Sequence, residues 1–431
     1  MFDQNGLSLD QAPPVSVVFG LFLMGALFGI LAGGATLYYG ITLFDFSSTG
    51  ALVLTHLMTL GVMLSFMLGA LFQMLPVIAG VIIEAPIPRS NLIKFLLLGG
   101  TITLLGGFIT HAEILFLFAS VLLGASLLYV SVSMGIKLWR LSHHSASSRG
   151  ILWSLISLLM VVLLALYMTL TYAGLLEGIY FLQIKQMHYA FGLFGWLALL
   201  IVSISFQTVE MFYVTPAYPI LLSRMLPIAI VLLLALISLL GFMQSGAIFY
   251  AQALLYLWLI LYAGYTLLRL SQRKRPLADA TMWFWRTGMG SLILSMLLLL
   301  IALFSPNHTL ISIATLLFVS FVLSVLFAMF YKIVPFLTWF HLNAQGYFTA
   351  PMMHEVIHPK TAKKHYIIHI TTIGLFLLSL LLPQAILLAG ISTILSFGWV
   401  AYQILHANKL YKHTQETGEK FDMGMMEPKT Y

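Results

Sequence analysis

The sequence predicts an all-α integral membrane protein of about twelve transmembrane helices, arranged in pseudo-threefold fashion as three four-helix units. Three observations carry this. Of 431 residues, 61% are hydrophobic and only 8% charged, against roughly 25% charged in soluble domains, and the mean hydropathy is +1.02. A soluble core has no use for that much apolar side chain, so lipid is the solvent for most of the chain. The apolar residues fall into runs of about twenty, each long enough to span a bilayer. The basic residues fall into every second loop.

Taken in order, spans are expected near 14–40, 51–82, 92–110, 114–138, 151–175, 188–212, 220–242, 247–268, 282–304, 309–336, 367–382 and 385–405. Residues 1–12 are polar without a basic stretch, which does not read as a cleavable signal. Arg89 and Lys94 follow the second span. Lys137, Arg140 and Arg149 follow the fourth, and Arg273, Lys274 and Arg275 the eighth. Lys360, Lys363 and Lys364 follow the tenth; Lys409, Lys412 and Lys420 follow the twelfth. The alternate loops at 42–50, 243–246 and 305–307 contain no Lys or Arg. By the positive-inside rule both termini are cytoplasmic, and the location expected is a bacterial inner membrane. The net charge of +7 is that of these loops and does not indicate a nucleic-acid partner. The partner read from composition is the lipid bilayer, with a homo-oligomer possible. Cysteine is absent, so disulfides, thiolate ligands and thiol catalysis are excluded together.

A coarse repeat runs through the single membrane domain, 1–431, in units at 14–140, 151–268 and 282–405. His56, His188 and His308 stand at the starts of the second, sixth and tenth spans, all near the outer face. Intramembrane histidine is costly unless paired or ligated, and neutral imidazole is a common ligand of haem iron and copper. These three are therefore the candidate metal and cofactor ligands. His111, followed by Glu113 at the outer end of the third span, is a further candidate, although an interfacial histidine exposed to water explains it as well. The second span has the most distinctive spacing: His56-x4-Gly61-x7-Gly69-x6-Pro76-x3-Gly80. Its glycines permit close approach of a neighbouring helix or of a flat macrocycle. Gln73 and Met74 lie about 25 Å below His56 and belong to no site shared with it.

The longest hydrophilic stretch inside the chain follows the tenth span and contains His341, His354, His358, His365 and His369. The pairs His354/His358 and His365/His369 each have the spacing of one helix face, and Pro359 divides them. The stretch reads as a cytoplasmic interfacial helix or loop anchored by Trp339, Phe340 and Tyr347, with metal binding there left open. His143 and His144 read as solvated loop residues. Most of the 22 methionines are scattered among Leu and Phe as gap fillers; Met423, Met425 and Met426 cluster in a polar cytoplasmic tail, 415–431, expected to be disordered.

Twelve spans, cytoplasmic termini and histidines on the second, sixth and tenth helices resemble subunit I of the haem–copper oxidases. The His–Gly–Gly–Pro–Gly spacing of the second span is also similar to the NnrS family of haem- and copper-containing membrane proteins linked to nitric oxide tolerance. The oxidase resemblance implies a b-type haem between His56 and His308, and a possible copper on His188. It implies electron transfer, or nitric oxide or oxygen handling, with a separate cytochrome or quinol as donor. Against a proton-pumping oxygen reductase, the seventh span has no histidine pair, the tenth has no second histidine beside His308, and no acidic relay lies at mid-membrane; Glu210 and Lys332 sit toward the cytoplasmic ends. If an enzyme at all, the chain would be a haem-dependent oxidoreductase. The alternative reading is a secondary transporter or an assembly factor without haem.

Overall fold

The computed structural model describes residues 12–274 and 279–420. Arg275 and the methionines Met423, Met425 and Met426 lie outside the described residues, as do most of the polar N-terminal stretch and of the expected tail. Among those described the chain is helical nearly throughout, and its one β-like pairing is an isolated bridge between Tyr347 and Lys420. Eleven helices are long and apolar enough to cross a membrane. They are α1 (Val15–Phe44), α2 (Thr49–Ala79), α3 (Pro86–Thr110), α4 (Glu113–Trp139), α5 (Ala146–Tyr172), α6 (Phe181–Tyr213), α7 (Ile220–Phe242), α8 (Ile248–Ser271), α9 (Ala280–Phe304), α10 (His308–Ala344) and α12 (Ala385–Thr417). Between the last two lies α11 (Pro359–Ser379), 21 residues long.

Helix boundaries follow local chemistry. Ser48, Ser145, Asp279 and Asn307 each accept a backbone N–H from the first turn of the helix they precede, satisfying donors that a helix start otherwise leaves unpaired. Proline opens α3 and α11, where its missing N–H costs nothing. Consecutive helices pack side by side, and α1 runs along α12 so that the bundle closes on itself. Helices α2 and α6, which carry His56 and His188, lie toward its centre. In the most apolar stretch, 78% of α2, 72% of α6 and 61% of α10 is buried, against 39–44% for α3, α4, α5, α7, α8 and α9. Helix α1, at 61%, matches α10, and α12 follows at 56%, so α2 and α6 are the two most enclosed helices.

Four expectations change. Helix α6 begins at Phe181, ahead of the expected 188, because Gln183, Lys185 and Gln186 lower the local hydropathy without breaking the helix. Helix α11 begins at Pro359, ahead of the expected 367, for the same reason. Helices α10 and α12 run to 37 and 33 residues, more than the roughly 20 needed to span, and their ends are tied together beyond the apolar zone. Gln345 Nε2 donates to the Tyr411 hydroxyl at 2.6 Å, and Tyr347 Oη donates to the Gln415 carbonyl at 3.0 Å. The start of the expected disordered tail is therefore ordered: residues 415–417 are helical, and the Phe348 N–H donates to the Glu419 carbonyl at 3.2 Å.

Candidate functional site

His56 is the eighth residue of α2, and His188 is the eighth of α6. Both therefore sit about 10 Å in from the helix start, at the end of the bundle away from the basic loops. Helix α6 starts ahead of the expected span, so His188 lies within the helix rather than at its first residue. The two rings are within electrostatic reach of one another and half-buried.

The hydrogen bonds fix their tautomers. His56 Nδ1 is 2.8 Å from the Leu52 carbonyl one turn back, and His188 Nδ1 is 3.2 Å from the Val161 carbonyl of α5. A carbonyl oxygen can only accept, so Nδ1 carries the proton in each ring. In a neutral imidazole Nε2 then keeps its lone pair. No hydrogen bond engages either Nε2 among the described residues. A backbone carbonyl on one ring nitrogen, with the other left as donor atom, is the arrangement that orients imidazoles for metal binding.

The surroundings are aromatic. The Phe108 ring of α3 is 5.1 Å from the His56 ring and packs edge-on against Phe116 and Tyr172, and Tyr172 in turn meets Phe181 at 5.2 Å. The glycines of α2 serve the opposite side. A Cβ on Gly61 would lie 2.6 Å from the Phe28 ring of α1, and one on Gly69 would lie 2.8 Å from Phe22. They admit a neighbouring helix, the first of the two readings their spacing allows.

Directly after His56, and with two residues intervening after His188, the helices widen into π-helix, over Leu57–Leu64 in α2 and Phe191–Ala198 in α6, before resuming α-helix for 15 residues. Gly61 and Gly195 occupy the same place in the two π segments, and Phe72-Gln73 and Phe206-Gln207 the same place in the α segments that follow. π segments cost hydrogen-bond geometry and concentrate at functional positions. The repeated Phe-Gln and glycine positions were the sequence signal that could have set α2 and α6 in register.

His308 and His111 are placed differently. His308 is the first residue of α10, exposed, with its ring 5.4 Å from Phe46 and Asp45 close by. His111 is exposed and adopts φ 56° to end α3, its N–H donating to the Gly107 carbonyl at 2.8 Å. Histidine is among the residues that tolerate this left-handed conformation, so His111 acts as a helix terminator facing water. Among the described residues, no group of three or more His, Asp or Glu side chains gathers where it could hold a metal ion.

The histidine-rich segment divides in two. His354 and His358 are exposed, as expected for an interfacial stretch, and His358 Nδ1 caps α11 by accepting the Lys360 N–H at 3.1 Å. His365 and His369 are not interfacial: both are buried in the bundle, at 0% and 2% exposure. His369 Nε2 meets Ser324 Oγ of α10 at 2.8 Å, and His365 Nε2 meets Ser396 Oγ of α12 at 2.9 Å. The Phe327 ring lies 4.6 Å from His365 and 5.2 Å from His369. The pair belongs to a set of polar contacts among α9–α12 that includes Ser291 with Ser320, Thr287 with Tyr366 and Thr372 with Ser392. It reads as interhelical hydrogen bonding in a site already filled by aromatic side chains.

No family model and no curated protein sequence matches the chain.

Proposed function

We propose that this protein binds haem, or haem together with copper, at His56 and His188, and acts in electron transfer or in handling nitric oxide or oxygen in a bacterial inner membrane. The observation that carries the reading is the pair of imidazoles brought from α2 and α6 to one depth, each with Nδ1–H on a carbonyl and Nε2 free. That donor set suits a borderline or soft transition metal, and no thiolate exists in the chain to compete. A haem iron or copper ion held there would supply reversible gas binding or one-electron transfer.

The protein's own part is positional. The Leu52 and Val161 carbonyls hold the rings in one tautomer and raise their basicity as ligands. Phe108, Phe116 and Tyr172 wall the site with apolar surface and lower the local dielectric. His308, on the exposed rim beside Asp45, stands outside the pair and is the third candidate by resemblance. Both described ends of the chain lie on the side of the basic loops, which we read as cytoplasmic. An electron donor would then be a separate cytochrome or a quinol.

The test is an optical spectrum of detergent-purified protein, oxidised and reduced, with a pyridine haemochrome assay and metal analysis. We expect a Soret band at near-stoichiometric haem, with His56→Ala and His188→Ala each losing at least about tenfold in bound haem or metal, the loss typical when a ligand or its support is removed. His354→Ala should lose none. A colourless, metal-free wild-type protein would falsify the reading and favour a transporter or assembly factor.

A further inference from the structure

A groove of about 320 Å³ runs between α1 and α3 on the outside of the bundle, lined by Leu23, Met24, Leu27, Phe28, Leu31 and Phe95, with Gly20 and Lys94 at one end. From Gly20 to Leu31 along α1 is about 16 Å, so the groove is long, narrow and apolar, with its polar end toward the basic loops. Lys94 sits inside α3, half-buried, and its ammonium turns onto the surface of α1: a Cβ on Gly20 would lie 2.7 Å from Nζ. No ion pair or hydrogen bond engages Lys94 among the described residues. Its neighbours Arg89 and Lys137 already share the carboxylate of Glu84, at 3.3 and 3.6 Å, and neither α1 nor α3 carries an acidic side chain. Among the described residues the protein thus supplies a cation and an apolar channel leading from it, but no counter-charge in contact with that cation.

We propose that this groove binds one acidic phospholipid, its phosphate on Lys94 and one acyl chain laid along α1 from Gly20 to Leu31. The charge complementarity selects an anionic headgroup over a zwitterionic one. The length selects a linear chain. Gly20 is required because any side chain there displaces the ammonium from the groove's mouth. The proposal is independent of the haem reading and stands or falls without it.

The test is native mass spectrometry of the full chain, purified and exchanged into mixed micelles holding phosphatidylglycerol and phosphatidylcholine in equal amounts. Wild type should retain one phosphatidylglycerol in preference to phosphatidylcholine. Lys94→Gln should lower that preference about fivefold, the effect of one lysine near an acidic headgroup, and Lys94→Arg should keep it. Leu27→Trp, which fills the apolar channel and leaves the charge in place, should lower retention of either lipid. Elution volume and thermal unfolding of each variant report whether it is folded. Equal retention of the two lipids by wild type, unchanged preference in Lys94→Gln, or a neutral isoprenoid quinone found in the groove instead would each overturn the proposal.

Discussion

Asp279 joins three interactions at the basic end of the bundle. Its Oδ1 accepts the Met282 N–H at 3.0 Å as the cap of α9 and the Thr281 hydroxyl at 2.7 Å, while Oδ2 takes the Lys332 ammonium of α10 at 2.6 Å. Burial works to raise its pKa, but the Lys332 charge and these hydrogen bonds together outweigh burial and hold the carboxyl below the ordinary carboxylate value. A depressed folded-state pKa means stability that is present above the unfolded value, about 4, and is lost as pH falls through the folded one. Asp279 is 42% exposed, so solvent screening reduces the ion-pair contribution. We expect Asp279→Ala to cost about 1–2 kcal/mol at pH 7, chiefly as a lost cap. Asp279→Asn keeps the capping oxygen and should cost less, while flattening the decline of thermal stability below pH 4. Unfolding temperatures measured from pH 3 to 7 check this; parallel pH curves for wild type and Asp279→Asn would show that the carboxylate charge contributes nothing. The same logic of donor and acceptor, without titration, fixes His56 and His188, where carbonyl partners leave one possible tautomer.

At the scale of elements, α11 is the instructive helix. Lys363, Lys364, His365 and His369 depress its hydropathy, and so the sequence reads its first half as interfacial. In the fold the two lysines face outward and are exposed, while the two histidines share the opposite, buried face, as residues four apart on a helix must. Ser324→Ala should therefore strand His369 Nε2 and lower stability by about 1 kcal/mol, within the range found for interhelical hydrogen bonds in membranes. His354→Ala, at an exposed position, should leave it unchanged. Thermal unfolding in detergent by intrinsic fluorescence measures both, and equal values would place His369 outside the load on α11. The spans themselves were legible because hydropathy is set by composition alone. The boundary of α6 and the burial of α11 were not, because Lys185, Lys363 and Lys364 carry the same hydropathy whichever way they point. Nor was the pairing of His56 with His188 rather than His308. From hydropathy all three read as helix starts, but His56 and His188 are the eighth residues of their helices, and only the helix caps settle that difference. The π segments have no hydropathy signature at all. Their only trace in the sequence is the shared glycine and Phe-Gln positions of α2 and α6.

The whole molecule is a closed bundle with α2 and α6 the most enclosed and α1 seated on α12, and this order imposes a strict alternation of loops between its two ends. The loops at 80–85, 140–145 and 214–219, the stretch after α8 and the stretch around 345–358 lie at one end. Those at 45–48, 173–180, 243–247 and 305–307 lie at the other. Arg140, Arg273 and Lys274 mark the first end, and Lys185 of α6 is the exception near the second. From charge segregation of this kind we predict that the basic end faces the cytoplasm. The absence of native cysteine makes the orientation directly measurable, because any thiol introduced is the only one. Ser47 and Ser142 are both exposed and lie at opposite ends of the bundle. In intact cells, Ser47→Cys should react with a membrane-impermeant maleimide, while Ser142→Cys should react only after the membrane is opened. The reverse pattern would invert the molecule. It would turn the His56–His188 end toward the cytoplasm. Labelling of both in intact cells would contradict the alternation between these two loops.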